Sequence, residues 1–239
     1  LRRRRPHWGP KKLLAILTQE APSRAWPAHA TVSDILRREG LSTPRRVRRR
    51  ALTVDQPFAA VQAPNDAWCI DFKGWFRTLD GRRCDPFTVS DAFSRYLLGL
   101  KIMAARGASV QRQMDTLFKE HGVPTSIRSD NGSPFASSGA GGLTRLSARW
   151  AKIGIRLERI WPGKPQQNGR HERMHRTLKY EACQPPAANA AAQQARFDSF
   201  RREFNFERPH EALGQCPPAT LYTPSPKPFV EPKGDLDYG

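Results

Sequence analysis

The sequence predicts an α/β fold on a mixed β-sheet, and three observations carry that prediction. First, residues 67–72, 87–90 and 96–103 are short apolar, aromatic and β-branched runs in succession, separated by turn residues, as hairpin-linked strands are. Second, the period then changes: Val110, Met114, Leu117 and Phe118 mark one face of a helix over 108–121, closed by Gly122-Val123-Pro124. Third, strands and helices alternate from there on. The resulting order, β-β-β-α-β-α-β-α-α, places antiparallel pairs first and parallel crossovers afterwards, with helices on the faces of the sheet.

Residues 1–50 read as a small helical segment with basic ends. Pro10 suits a helix start, where its missing N–H costs nothing, and Leu13, Leu14, Ile16 and Leu17 supply an apolar face. Pro22 and Pro27 break the chain. Thr31-Val32-Ser33-Asp34 resembles a capping motif ahead of Ile35 and Leu36, and Gly40 can close this second helix. Two short helices flanked by the arginine runs at 2–5 and 45–50 suit a helix-turn-helix piece on DNA, with Arg45, Arg46 and Arg48 as contact residues.

Residues 51–65, with Pro57 and Pro64, read as a linker, and 66–208 as the main domain. Within it Asp80-Gly81-Arg82 signals a hairpin turn. Residues 126–129 and 155–160 read as the fourth and fifth strands; 143–153, 167–181 and 191–204 read as helices. Residues 209–239 form a Pro-rich tail, expected to be extended and poorly packed. Trp68, Trp75, Trp150 and Trp161 read as core or strand-edge residues.

Charge narrows the function. Forty Lys and Arg stand against 22 Asp and Glu, a net +18. Residues 1–50 hold 14 against 3, or +11, and the rest holds 26 against 19, or +7. This asymmetry points to a polyanionic partner. The apolar runs are too short for a membrane span, and the opening residues lack the apolar stretch of a secretory signal. Cys69, Cys84, Cys183 and Cys216 contain no C-x-x-C pair, which argues against a disulfide scaffold or a Cys-rich zinc site.

Three acids stand out by context. Asp71 lies between Ile70 and Phe72 in an apolar strand, where an unpaired carboxylate is costly. Asp130 closes another short strand in Ser129-Asp130-Asn131-Gly132, and Glu172 lies on the polar helix Gln167-Asn168-Gly169-Arg170-His171-Glu172-Arg173. Taken singly, each is equally well read as a surface, turn or ion-paired residue. Together they offer hard oxygen ligands for divalent cations acting on a phosphodiester.

Their surroundings carry a resemblance. Asp66-Ala67-Trp68-Cys69-Ile70-Asp71-Phe72, Val89-Ser90-Asp91-Ala92-Phe93-Ser94-Arg95-Tyr96, Arg128-Ser129-Asp130-Asn131-Gly132-Ser133-Pro134-Phe135 and the stretch from Pro162 to Arg173 continuing into Thr177-Leu178-Lys179 occur in this order. Residues 66–181 thereby resemble the catalytic core of the retroviral integrase-like DDE transposases of bacterial insertion sequences, and Arg202 to Tyr222 resembles that family's following segment. The resemblance implies an RNase H-like, five-stranded mixed sheet with its first three strands antiparallel. It implies Asp71, Asp130 and Glu172 as the catalytic and metal-holding triad, with two Mg²⁺ ions for which Mn²⁺ can substitute. The 41 residues between Asp130 and Glu172 are more than many relatives have, the excess falling in the Gly/Ser-rich stretch 137–142, a cheap place to lengthen a loop. Asp91 is a structural strand-end residue in this pattern. Glu158 and Glu181 are rival third carboxylates that fit it less well than Glu172.

On the helix, Glu172, Arg176 and Lys179 share a face, with His175 close by. That face and the turn before it supply the DNA-contact candidates Lys164, Gln167, Asn168, Arg173, Arg176 and Lys179. The implied activity is metal-dependent cleavage at an element's ends and transfer of the freed 3′-OH into target DNA. The implied partners are the terminal inverted repeats, target DNA and further copies of the chain, in the bacterial cytoplasm at the nucleoid. A nuclease of the same fold that joins no ends, or a non-catalytic DNA-binding remnant, are the alternatives.

Overall fold

The computed structural model describes residues 1–42, 60–130, 132–136, 142–159 and 169–232. Its centre is a five-stranded sheet. The strands are β1 (Ala67–Phe72), β4 (Pro86–Asp91), β5 (Leu97–Ile102), β6 (Ser126–Ser129) and β7 (Arg156–Arg159), in spatial order β5-β4-β1-β6-β7. β1 pairs antiparallel with β4 and β4 with β5, while β6 runs parallel to both β1 and β7. The sequence reading anticipated these strands and this change of direction. It did not anticipate two short strands, β2 (Phe76–Arg77) and β3 (Arg83–Cys84), which form a separate hairpin. The turn signal at 80–82 is the tip of that hairpin, where Gly81 takes φ +82° and the Asp80 carboxylate accepts from Thr78 Oγ1 at 2.5 Å.

Helices cover both faces. α3 (Gly107–His121) and α4 (Arg145–Lys152) bury Val110, Met114, Leu117, Phe118, Leu146 and Trp150 against Trp68, Ile70, Phe87 and Val89 of the sheet. On the other face, α5 (Gly169–Leu178), a π-helical turn over Lys179–Cys183 and α6 (Ala190–Phe206) pack Met174, Leu178, Phe197, Phe200 and Phe204 against Leu97 and Leu100. Each helix offers one apolar stripe at its natural period, so the sheet is buried on both sides.

The N-terminal helices are α1 (Pro10–Glu20), with Pro in its first turn, and α2 (His29–Arg38). α2 starts earlier than expected: its N-cap is Ala28, without a side-chain cap, and Thr31 to Asp34 lie inside the helix. Gly40 ends it as anticipated, at φ +63°, while the Leu41 N–H reaches back to the Leu36 carbonyl at 2.8 Å. Trp8, Leu13 and Leu36 form a small core of their own.

Two segments are more tightly integrated than their composition suggested. Part of the N-terminal charge is committed internally: Arg5 pairs with Glu203 and Glu207, Lys11 pairs with Glu211, and Lys12 Nζ donates to the Pro209 carbonyl. Burial, and then the Arg208 charge, pushes Lys12 down to about 8. The described part of the Pro-rich segment is a packed strap rather than a loose tail. The Val123 N–H donates to the Lys227 carbonyl at 2.8 Å and the Ser225 N–H to the His121 carbonyl at 2.7 Å. Tyr222 stacks on Tyr96 at 4.3 Å, and Phe229 packs on Phe118. Proline removes donors, but the Ser225 and Lys227 N–H groups find acceptors and Tyr222 and Phe229 pack against the core.

Candidate active site

The sheet register brings the first two predicted acids together. β1 and β6 pair in parallel as Ala67↔Ser126, Trp68↔Ile127 and Cys69↔Arg128. Continuing that register by two residues sets Asp71 level with Asp130, on neighbouring strands ~4.8 Å apart. Asp130 is exposed just past the end of β6, and its Oδ1 accepts the Gly132 N–H at 3.1 Å. Asp71 is more sheltered, its side chain 24% exposed.

The third acid arrives on α5. His171, Met174, His175 and Leu178 turn inward at helical spacing, while Glu172, Arg173, Arg176 and Lys179 are exposed. Glu172 therefore shares the exposed side of the helix with three cations, as the spacing predicted. Burial, and then the Asp130 charge, raises the Asp71 carboxyl to about 7, with Glu172 adding to the effect. The three carboxylates thus share one negative field, though they are not as closely drawn as metal ligands. Among the described residues, the one set of potential ligands that lies wholly within 4.8 Å is Asp71, His171 and His175.

The histidines form a hydrogen-bonded cluster beneath this field. Thr88 Oγ1 on β4 lies 2.7 Å from His171 Nε2 and 2.7 Å from His175 Nε2, and donates to the Asp71 carbonyl at 3.0 Å. Ser90 Oγ is 2.9 Å from His171 Nδ1. Burial pushes His171 down to about 3 and His175, which also feels His171 and Lys73, down to about 2, so both rings are neutral. Sequence reasoning missed His171, Thr88 and Ser90. The available signal was the i,i+4 histidine pair bracketing Glu172, which puts two imidazoles on one face.

The rival acids are otherwise engaged. Glu158 is bound by Arg128 at 2.7 Å and Arg156 at 3.1 Å; burial opposes its ionisation, but the Arg128 guanidinium holds it below the usual carboxylate range. Glu181 pairs with Arg208 at 2.5 Å. Asp91 is buried and accepts from the Asn65 N–H, the Ser94 N–H and Ser94 Oγ, which is a structural clasp. Trp68 and Trp150 are core residues as anticipated, but Trp75 is 56% exposed, with the Arg77 and Arg83 guanidiniums against its ring. Lys164, Gln167, Asn168, Trp161, Arg45, Arg46 and Arg48 lie outside the described residues.

The donors suit a divalent cation: carboxylate oxygens beside neutral imidazole, where burial and then the Asp130 charge raise the Asp71 carboxyl. No helix among the described residues is long and apolar enough to cross a membrane.

Two integrase core domain profiles match residues 61–165 and 153–218. The 31.7 kDa protein of insertion element IS407 from Burkholderia multivorans is 28% identical over 219 residues, covering 90% of this chain and 75% of that protein. The 39.2 kDa protein of insertion element IS476 from Xanthomonas euvesicatoria is 33% identical over 180 residues, and the chain spans about half (49%) of its length. Among solved structures, the HTLV-2 integrase catalytic core domain in complex with magnesium superposes with a TM-score of 0.51 at 13% identity, over 66% of this chain and 97% of that one. The integrase of the simian T-cell lymphotropic virus intasome, in complex with the PP2A regulatory subunit B56 gamma, gives 0.55 at 18% identity, over 98% and 77%. At these identities the two structures establish the fold, the RNase H-like arrangement of the retroviral integrase core.

Proposed function

Because the chain belongs to the integrase-core family of bacterial insertion-element proteins, we propose that it is a DDE-type transposase that cleaves an element's ends and joins them to target DNA. One observation carries the reading: Asp71 and Asp130 stand level at the ends of parallel β1 and β6, where burial, then the Asp130 charge and to a lesser degree Glu172, raise the Asp71 carboxyl. Such a field favours divalent cations, as in the magnesium complex of the HTLV-2 core. Asp71 is the central ligand in this reading, flanked by Asp130 and Glu172. Asp71, Asp130 and Glu172 would hold the divalent cations, which when bound would polarise the scissile phosphodiester and stabilise the attacking and leaving oxygens.

The residues do the positioning. Asp71 is set on β1 and Asp130 immediately after β6, so the paired strands hold the two acids side by side. Arg173, Arg176 and Lys179 follow Glu172 on the exposed side of α5 and would bind the phosphates flanking the reacting one. Lys164, Gln167, Asn168, Arg45, Arg46 and Arg48 would add further DNA contacts. Water attacks first and the released 3′-OH attacks second, so no covalent protein–DNA intermediate is required. The likeness to an intasome supports assembly of several copies on DNA.

Asp71→Asn, Asp130→Asn and Glu172→Gln are each expected to abolish joining of a labelled donor end to target DNA in Mg²⁺, while changing DNA affinity by less than a few-fold. Full joining activity in any one removes that residue from the triad. Cleavage without joined product in the same assay would identify a nuclease instead.

A further inference from the structure

The buried histidine pair on α5 takes no part in the scheme above, and its hydrogen atoms can be counted. The Thr88 hydroxyl has one hydrogen and two lone pairs. Assigned to the Asp71 carbonyl at 3.0 Å, that hydrogen leaves both lone pairs free to accept from His171 Nε2 and His175 Nε2, each at 2.7 Å, an arrangement in which both rings are Nε2–H tautomers. His171 Nδ1 in turn accepts from Ser90 Oγ at 2.9 Å, so both of its nitrogens are used. His175 Nδ1 is different. It carries a bare lone pair, has no hydrogen-bond partner among the described residues and faces Asp71 Oδ2 at 3.9 Å.

That distance is too long for a shared hydrogen bond. A cation bonded to both atoms at ~2.0–2.2 Å spans it. We propose that His175 Nδ1 is a nitrogen ligand, together with Asp71, of a divalent cation in this site, and that Thr88 presets the tautomer that makes it one. The inference rests on the metal-dependent reading above and goes beyond its three carboxylates. It excludes His171 as a ligand and makes Thr88 a positioning residue, since that hydroxyl ties the strand carrying Asp71 to the helix carrying Glu172. A mixed nitrogen and oxygen donor set also favours Mn²⁺ over Mg²⁺ more than an all-carboxylate site does.

The test uses Mn²⁺ alone, titrated into the full chain and examined by pulsed electron paramagnetic resonance. Wild-type protein is expected to show nitrogen coupling from one imidazole to the bound ion, converted to the ¹⁵N pattern when histidine is ¹⁵N-labelled. The coupling should persist in His171→Asn and disappear in His175→Gln. Thr88→Val should weaken Mn²⁺ binding about 10- to 100-fold, with circular dichroism used to confirm that the fold is retained. Bound Mn²⁺ with oxygen ligands only in wild-type protein overturns the proposal and leaves the carboxylate site standing, as does coupling that survives in His175→Gln. Absence of any Mn²⁺ binding overturns both, so the two failures are distinguishable. The wild-type measurement does not depend on any variant folding.

Discussion

At the scale of single residues, Asp71 is where stability and function oppose each other. Its carboxyl rises from the ordinary aspartate range to about 7, because burial and then the Asp130 and Glu172 charges penalise ionisation. A group whose folded pKa is raised stabilises the fold fully below its unfolded pKa, and that contribution is lost as pH rises through the folded value. The metal-free protein should therefore lose stability between about pH 4 and pH 7. Asp71→Asn is expected to be more stable than wild type at pH 8 by about 1–3 kcal/mol, but not at pH 4. Urea denaturation at the two pH values in a chelator checks this; an equal effect at both would remove the electrostatic explanation. Added Mn²⁺ should recover the loss in wild type only, and bind more weakly at pH 6 than at pH 8, because the proton on Asp71 competes with it. A lone Asp in an apolar strand was legible as costly. The size of the cost depends on two charges 59 and 101 positions away, which no local pattern contains.

At the scale of elements, α5 was the most legible and also the most misread. Its exposed stripe of Glu172, Arg176 and Lys179 follows from helical spacing alone. Arg176→Ala with Lys179→Ala should weaken binding to all DNA sequences alike and reduce the salt dependence by about one unit per residue. A salt slope unchanged by the pair would exclude phosphate contacts there. The inward stripe was half seen, because an i,i+4 histidine pair acquires meaning only when β4 brings Thr88 and Ser90 beneath it. The C-terminal strap is extended, as its proline content implies, but it is held to the domain: Gly122 at φ +73° ends α3 where an added Cβ would sit 2.4 Å from the Ser225 carbonyl oxygen. Gly122→Ala is expected to cost about 2–4 kcal/mol, from the left-handed backbone together with displacement of the strap. A thermal melt matching wild type would show that the strap does not bear on that turn.

At the scale of the whole molecule, the +18 divides into working and structural charge. Arg5, Lys11 and Lys12 tie the N-terminal helices to α6 and the segment after it, whereas Arg3 and Arg4 face solvent. Arg5→Ala should destabilise the protein by about 1–2 kcal/mol, through two half-exposed ion pairs and the guanidinium 5.0 Å from the Trp8 ring, with little effect on DNA affinity. Arg3→Ala with Arg4→Ala should do the reverse, leaving the melting temperature unchanged and lowering affinity in a salt-dependent way. Calorimetry paired with a DNA-binding titration at two ionic strengths separates the two; equal behaviour of the two variants would reject this division of charge.

By itself the sequence determined the five strands of the main sheet and the helices between them, the change from antiparallel to parallel pairing, and three acids in contexts suited to phosphodiester chemistry. Those features are written in periods of two and 3.6 and in short motifs, where neighbours in sequence are neighbours in space. Tertiary structure alone decided what those acids experience. It set Asp71 level with Asp130, engaged Glu158 and Glu181 with arginines, and turned Trp75 outward and the Pro-rich segment inward. It also brought the Thr88 hydroxyl against both His171 and His175. Burial, field and tautomer are properties of groups brought together from distant parts of the chain, so they exist only once the chain has folded.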